Sequence, residues 1–181
     1  MTHKHPDLER VLITPEEIAA KNAELGRCLS ADYGNSDPPY IIGILKGAFI
    51  FMADLTRQLT IPHVVDFMAL SSYGKTSTSS GAVRLLMDLR EPIEGRHVLI
   101  VEDIVDSGLT LSYLYKTLLG RRPESLKTCV LLQKERYSLD VPIDYLGFNI
   151  PDVWVVGYGL DLGDRFRTLP YIAELKPETY A

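Results

Sequence analysis

The sequence predicts an α/β fold with a mainly parallel central sheet flanked by helices. Strand-like and helix-like segments alternate along the chain, which is the pattern of stacked strand–helix units. His97-Val98-Leu99-Ile100-Val101 is apolar without alternation, as expected of a strand buried on both faces of a parallel sheet. Two apolar runs, Tyr40-Ile41-Ile42-Gly43-Ile44-Leu45 and Val98–Val101, end in small or polar turns that lead straight into helical patterns.

Taken in order, Thr14-Pro15-Glu16-Glu17 starts the first helix: Thr14 caps, Pro15 suits the first helical position, and Glu17 completes a capping box. Ile18, Leu25 and Leu29 give it an apolar face, and it stops before Gly34 in the polar run 34–39. Residues 40–45 form a strand, Lys46-Gly47 a tight turn, and residues 48–59 a helix. A strand follows at 64–71. Residues 72–81, almost all Ser, Thr, Gly and Lys, cannot pack and are expected to be a mobile excursion, with 82–89 as the returning hairpin strand. After the strand ending at Val101 comes a helix with Leu111, Leu114, Leu118 and Leu119 on one side, ended by Gly120. Further strands are expected at 128–132, 145–150 and 153–158.

A length of 181 residues fits one domain, with no linker or internal repeat. With 46% hydrophobic and 24% charged residues, the chain is neither disordered nor low-complexity. A net charge of −5, with Arg121-Arg122 the sole adjacent basic pair, gives no electrostatic footprint for nucleic acid or a membrane surface. No run approaches a membrane span and the N-terminus has no signal-peptide core, so a cytoplasmic protein is expected. Cys28 and Cys129 have no CxxC partner and both are expected to be reduced core thiols. None of His3, His5, His63 and His97 has ligand spacing.

Chemistry concentrates at 98–110, where an apolar strand is followed by Glu102, Asp103, Asp106, a small polar turn and a helix start. Ligands of open α/β sheets gather beyond the carboxyl ends of the strands. Backbone N–H groups of Ser107, Gly108, Leu109 and Thr110, with two hydroxyls, suit a single phosphate at the positive end of a helix. The usual nucleotide motifs fail. A P-loop ending at Gly74-Lys75-Thr76 would need glycine where Ala69 stands, and a dinucleotide fingerprint from Gly157 would need glycine at Leu162.

Residues 98–110 resemble the phosphoribosyl-pyrophosphate signature of the type I phosphoribosyltransferases. Leu45-Lys46-Gly47, Ser72-Tyr73, Gly147-Phe148-Asn149-Ile150-Pro151-Asp152 and Val155-Val156-Gly157-Tyr158-Gly159-Leu160-Asp161 narrow the likeness to the hypoxanthine-guanine phosphoribosyltransferases, in their short bacterial-type form, over residues 8–176. The resemblance implies the type I fold, with a small hood from parts of the N-terminus and residues 145–181. It also implies magnesium-dependent transfer of ribose 5-phosphate from phosphoribosyl pyrophosphate to hypoxanthine or guanine, giving IMP or GMP and pyrophosphate in purine salvage.

Carried over residue by residue, Glu102 and Asp103 match the acidic pair at the ribose hydroxyls and magnesium, and Asp106 the carboxylate that faces purine N7. Residues 106–110 match the 5′-phosphate loop. Lys46 and Gly47 match the pyrophosphate loop, where family members place a cis peptide before the lysine, and Arg167 matches the arginine that meets pyrophosphate. Asp161 matches a second magnesium carboxylate near the base. Trp154 matches the aromatic that stacks on the purine, and Val155 the residue whose backbone meets the base edge. Lys134 matches the donor to the 6-oxo group, with Gln133 the alternative one residue earlier. Ser72 and Tyr73 match the start of the closing loop. A homodimer or homotetramer is implied, with the helix after Lys46 near a subunit interface. Alternatives are a xanthine-preferring enzyme and a nucleotide-sensing regulator that binds RNA or DNA on the same fold.

Overall fold

Thr14 and Glu17 cap each other: the Glu17 amide donates to Thr14 Oγ1 at 3.2 Å, and the Thr14 amide donates to the Glu17 carboxylate at 2.8 Å. This reciprocal cap starts α1 (Pro15–Tyr33) where the sequence predicts it. The computed structural model describes residues 5–72, 83–135 and 140–180. Tyr73 and nearly all of the expected mobile segment lie outside the described residues.

Six strands form the main sheet in the order β4-β3-β2-β5-β6-β7. They are β2 (Tyr40–Leu45), β3 (Val64–Ser72), β4 (Val83–Met87), β5 (His97–Val105), β6 (Ser125–Lys134) and β7 (Tyr145–Ile150). All pairings are parallel except β3 with β4, the expected hairpin return. Helices α2 (Phe49–Arg57) and α3 (Leu109–Leu119) complete the strand–helix units.

The non-alternating strand has its predicted cause. Val98, Leu99, Ile100 and Val101 are fully buried, but on opposite faces. Leu99 and Val101 join Ile41, Leu25, Leu29, Phe51, Met52 and Leu55 beneath α1 and α2, whereas Val98 and Ile100 join Ile42, Leu111, Leu114 and Leu118 beneath α3. Each such side chain contributes about 1.5–3 kcal/mol of transfer free energy. Helices on both faces therefore hold the carboxyl end of β5 rigidly.

A second, antiparallel sheet in the order β1-β9-β8 joins β1 (Leu8–Ile13), β8 (Val155–Val156) and β9 (Ile172–Leu175). Leu8, Val156, Tyr171, Ala173 and Leu175 form its own small core. This is the hood, and it departs from expectation at its border: β7 belongs to the large sheet, so the hood begins after Ile150. Two strands also differ. The strand expected at 153–158 shrinks to Val155–Val156 because residues 151–154 turn, and β5 runs on through the acidic pair to Val105. Cys129 is buried as expected, but Cys28 is exposed, on the outer side of α1. No helix among the described residues is long and apolar enough to cross a membrane.

Asp66 ties β3 to its neighbours. At 5% exposure it accepts bonds from the Tyr40 hydroxyl, the amides of Phe67 and Arg90, and the Arg90 guanidinium. Burial alone would raise its pKa, but these donors outweigh it and hold the carboxyl below its ordinary value. Asp66→Asn is expected to cost about 2–4 kcal/mol in urea unfolding at pH 7. A depressed folded-state pKa gives stability that is complete above the unfolded value of about 3.9 and is lost as pH falls through the folded value. The gap between wild type and variant should therefore narrow as pH falls below about 3.9. Equal urea midpoints at pH 7 would show that Asp66 is not a stabilising partner.

Candidate active site

The carboxyl ends of β2, β3 and β5 open into a cleft of about 260 Å³ lined by Ile44, Leu45, Gly47, Leu70 and residues 102–108, 110 and 111. The turn after β5 builds its floor. Gly108 takes φ +75°, a left-handed conformation that glycine adopts without penalty, and this turns the chain into α3. No side chain caps α3, so its first-turn amides keep their donors for an anion, beside the Ser107 and Thr110 hydroxyls.

At the edge of this cleft, Glu102 is 5% exposed and adjoins Asp103. Burial and then the Asp103 charge push Glu102 well above the usual carboxylate range. Asp103 is raised to about 6, chiefly by burial; its own amide, that of Ile104 and the Arg167 charge act against this, and the Asp161 charge adds to it. Two carboxylates so placed favour a cation between them and the ligand.

Beyond β2 the Leu45–Lys46 peptide bond is cis. Gly47 lies against the acidic pair: a Cβ there would meet Asp103 Oδ2 at 1.8 Å. Gly159, from the hood, approaches from the other side, where a Cβ would meet the Gly47 carbonyl oxygen at 2.0 Å. Neither position has room for a side chain. The pyrophosphate-loop match is therefore wedged between the main sheet and the hood.

A second cleft of about 240 Å³ adjoins the first and shares Asp103, Ile104 and Asp106 with it. Lys134, Val153, Trp154, Val155, Leu160 and Asp161 complete it. Lys134, at the end of β6, is almost buried, with Nζ 3.5 Å from Asp106 and 3.3 Å from Asp152. Gln133 does not line this cleft. Trp154 is half exposed and rests on Tyr180, ring centroids 5.3 Å apart. One apolar wall and two polar ends suit a flat heterocycle.

Arg167, from the hood, is not among the lining residues of either cleft; its guanidinium donates to the Gly159 carbonyl oxygen at 2.7 Å and pairs with Asp161, which lines the second, at 2.7 Å. Lys46 and Arg167 both bond Asp164, and those two bonds lower its pKa, Arg167 contributing most. The described site residues thus converge from six segments, and Ser72, the last residue of β3, ends the strand beside the first cleft's Leu70. Val153, Leu160 and Asp164 were not read from the sequence. Asp164 carries a local signal, standing three residues before Arg167, but its bond to Lys46 spans 118 residues and has none.

A family model for the phosphoribosyl transferase domain matches residues 11–162. The hypoxanthine-guanine phosphoribosyltransferase of Dictyostelium discoideum is 50% identical over 174 residues, covering 94% of this chain and 97% of that protein. The solved hypoxanthine phosphoribosyltransferase of Staphylococcus aureus superposes with a TM-score of 0.93 at 42% identity, covering all of both chains. That of Trypanosoma cruzi, solved in complex with its product IMP, superposes with a TM-score of 0.89 at 46% identity, covering 98% of this chain and 100% of that one. Sequence and fold agree along nearly the whole chain, which therefore belongs to the phosphoribosyltransferase family, in its hypoxanthine-guanine branch.

Proposed function

We propose that the two adjoining clefts hold phosphoribosyl pyrophosphate and a 6-oxopurine, and that the chain joins them to give IMP or GMP with release of pyrophosphate. The observation that carries this reading is the place of Asp106, shared by the phosphate cleft and the base cleft. There a carboxylate faces the point where a ribose carbon and a purine nitrogen would meet.

In this reading residues 106–110 hold the 5′-phosphate, and Gly47 with Lys46 and Arg167 receives the pyrophosphate. Trp154 stacks on the base, the Val155 backbone meets its edge, and Lys134 donates to the 6-oxo group. A donor at that place rejects the exocyclic amine of adenine. As purine N9 bonds to the ribose C1 and the C1–O bond to pyrophosphate breaks, the N7 proton passes to Asp106. With a cation bound beside them to offset their burial, Glu102 and Asp103 would place negative charge near the ribose, where positive charge develops.

Magnesium suits these donors. It takes hard oxygen ligands and commonly rests on one or two carboxylates together with substrate oxygens. Among the described residues no three ligands form a protein cage, so Glu102 and Asp103 would hold one ion and Asp161 a second, each jointly with substrate. Bound there, it would neutralise charge on the departing pyrophosphate. We further read the chain as a cytoplasmic homodimer or homotetramer forming one domain, with no nucleic-acid partner.

The test is a spectrophotometric assay with phosphoribosyl pyrophosphate and magnesium, offering hypoxanthine, guanine, xanthine and adenine separately. Turnover of hypoxanthine or guanine with none of adenine is expected. Turnover of xanthine alone would move the specificity, and no turnover of any base would overturn the reaction.

A further inference from the structure

Asp164 sits between the two cations assigned to pyrophosphate. Lys46 Nζ donates to its Oδ1 at 3.0 Å, and Arg167 Nη2 donates to the same oxygen at 2.9 Å. Lys46 comes from the turn after β2 and Arg167 from the hood, so a single carboxylate oxygen joins donors of separate parts of the fold. Cations gathered on one anionic oxygen are how a protein meets a phosphate group, and here a carboxylate takes that place.

Other features set this contact apart from a structural ion pair. The Lys46 and Asp164 side chains are each about two-thirds exposed, and a pair so exposed to water adds little to stability. Arg167 is anchored without it, through the Gly159 carbonyl and Asp161, and its Nε has no partner among the described residues. Asp164 is itself held in place from the backbone, where its amide donates to Asp161 Oδ2 at 2.6 Å. The carboxylate is thus presented to Lys46 and Arg167 by a fixed turn, through bonds that are easily exchanged.

We propose that Asp164 is a built-in competitor for the pyrophosphate group: its carboxylate pairs Lys46 and Arg167 until a phosphate oxygen displaces it, and takes them back as pyrophosphate leaves. The proposal rests on the assignment of Lys46 and Arg167 to pyrophosphate. It makes Asp164 a determinant of substrate affinity and of product release, with no part in bond-making.

Asp164→Asn tests it. Asp164 has φ +63°, a left-handed conformation that asparagine tolerates, so the variant removes the charge without straining the turn. The dissociation constant of inorganic pyrophosphate with magnesium, read by titration calorimetry, is expected to fall by roughly three- to tenfold, the range open to two ion pairs that share an exposed carboxylate. The KM for phosphoribosyl pyrophosphate should fall in parallel, that for hypoxanthine should stay, and the gain should shrink as potassium chloride is raised. Unchanged or weaker pyrophosphate binding by Asp164→Asn would overturn the proposal. Arg167→Gln, measured alongside, separates the two levels. Weaker pyrophosphate binding in Arg167→Gln with no gain in Asp164→Asn would sink the competitor alone, whereas unchanged binding in Arg167→Gln would sink the pyrophosphate assignment and the competitor with it.

Discussion

Replacing Asp106 by asparagine is expected to lower kcat by about 10²–10⁴-fold, the usual worth of a positioned general base, with the KM for phosphoribosyl pyrophosphate changed less than about threefold. Asparagine matches aspartate in size and keeps an acceptor oxygen, so the turn 106–108 and the neighbouring first-turn amides of α3 should keep their places. What it loses is the ability to take a proton. It also removes the negative partner of Lys134, 3.5 Å away, which leaves Lys134 with Asp152 at 3.3 Å. Stopped-flow turnover with hypoxanthine, combined with equilibrium binding of phosphoribosyl pyrophosphate, separates the two effects. A loss of kcat under about tenfold would mean that an acceptor for N7–H is sufficient and that no proton transfer to Asp106 occurs in the rate-limiting step. A weakened phosphoribosyl pyrophosphate affinity with intact kcat would instead assign Asp106 to binding.

Asp106 was legible in the sequence because its whole setting is local. Strand, acidic pair, turn and helix start follow one another within 98–110, and each is dictated by nearby residues: the apolar run, the left-handed glycine, the uncapped helix. The same holds for α1, whose cap lies within four consecutive positions. β1 and β9 were not legible, for the opposite reason. Leu8–Ile13 carries Glu9 and Arg10 among its apolar residues, and β9 is only four residues long; each becomes a strand by pairing with the other across some 160 residues, Leu8 opposite Leu175. Strand propensity is weak where the partner supplies the stability.

Trp154 shows a subtler case. The family resemblance, and not the residue type, assigned it to the purine; it lines the second cleft, yet the strand predicted around it is a turn. Val153 and Trp154 read as strand residues by propensity, but Pro151 and Asp152 before them favour a turn, and the turn is what frees the indole from the sheet. Lys46 and Asp164 mark the limit of reading along the chain. Each is an exposed charged residue, one in the tight turn after β2 and the other in a polar loop, and only the folded geometry puts them 3.0 Å apart.

Gly47→Ala is expected to be the most damaging change of a residue with no functional group. The added methyl would lie 1.8 Å from Asp103 Oδ2 and 2.4 Å from its Cγ, far inside contact distance. Gly159 blocks retreat toward the hood, because it already packs on the Gly47 carbonyl. The Asp103 carboxylate must therefore swing away or the loop carrying Lys46 must shift, and a displacement of about 1 Å at a reacting site can cost 10²-fold. The expected result is a loss of about 10²-fold in kcat/KM for phosphoribosyl pyrophosphate, with circular dichroism unchanged. A double-mutant cycle with Asp103→Ser checks the cause, since the shorter side chain leaves the space that the methyl needs. In that background Gly47→Ala should cost less than about fivefold, a strong coupling between positions 56 residues apart. An equal loss in both backgrounds would show that the glycine serves its own backbone and not the acidic pair.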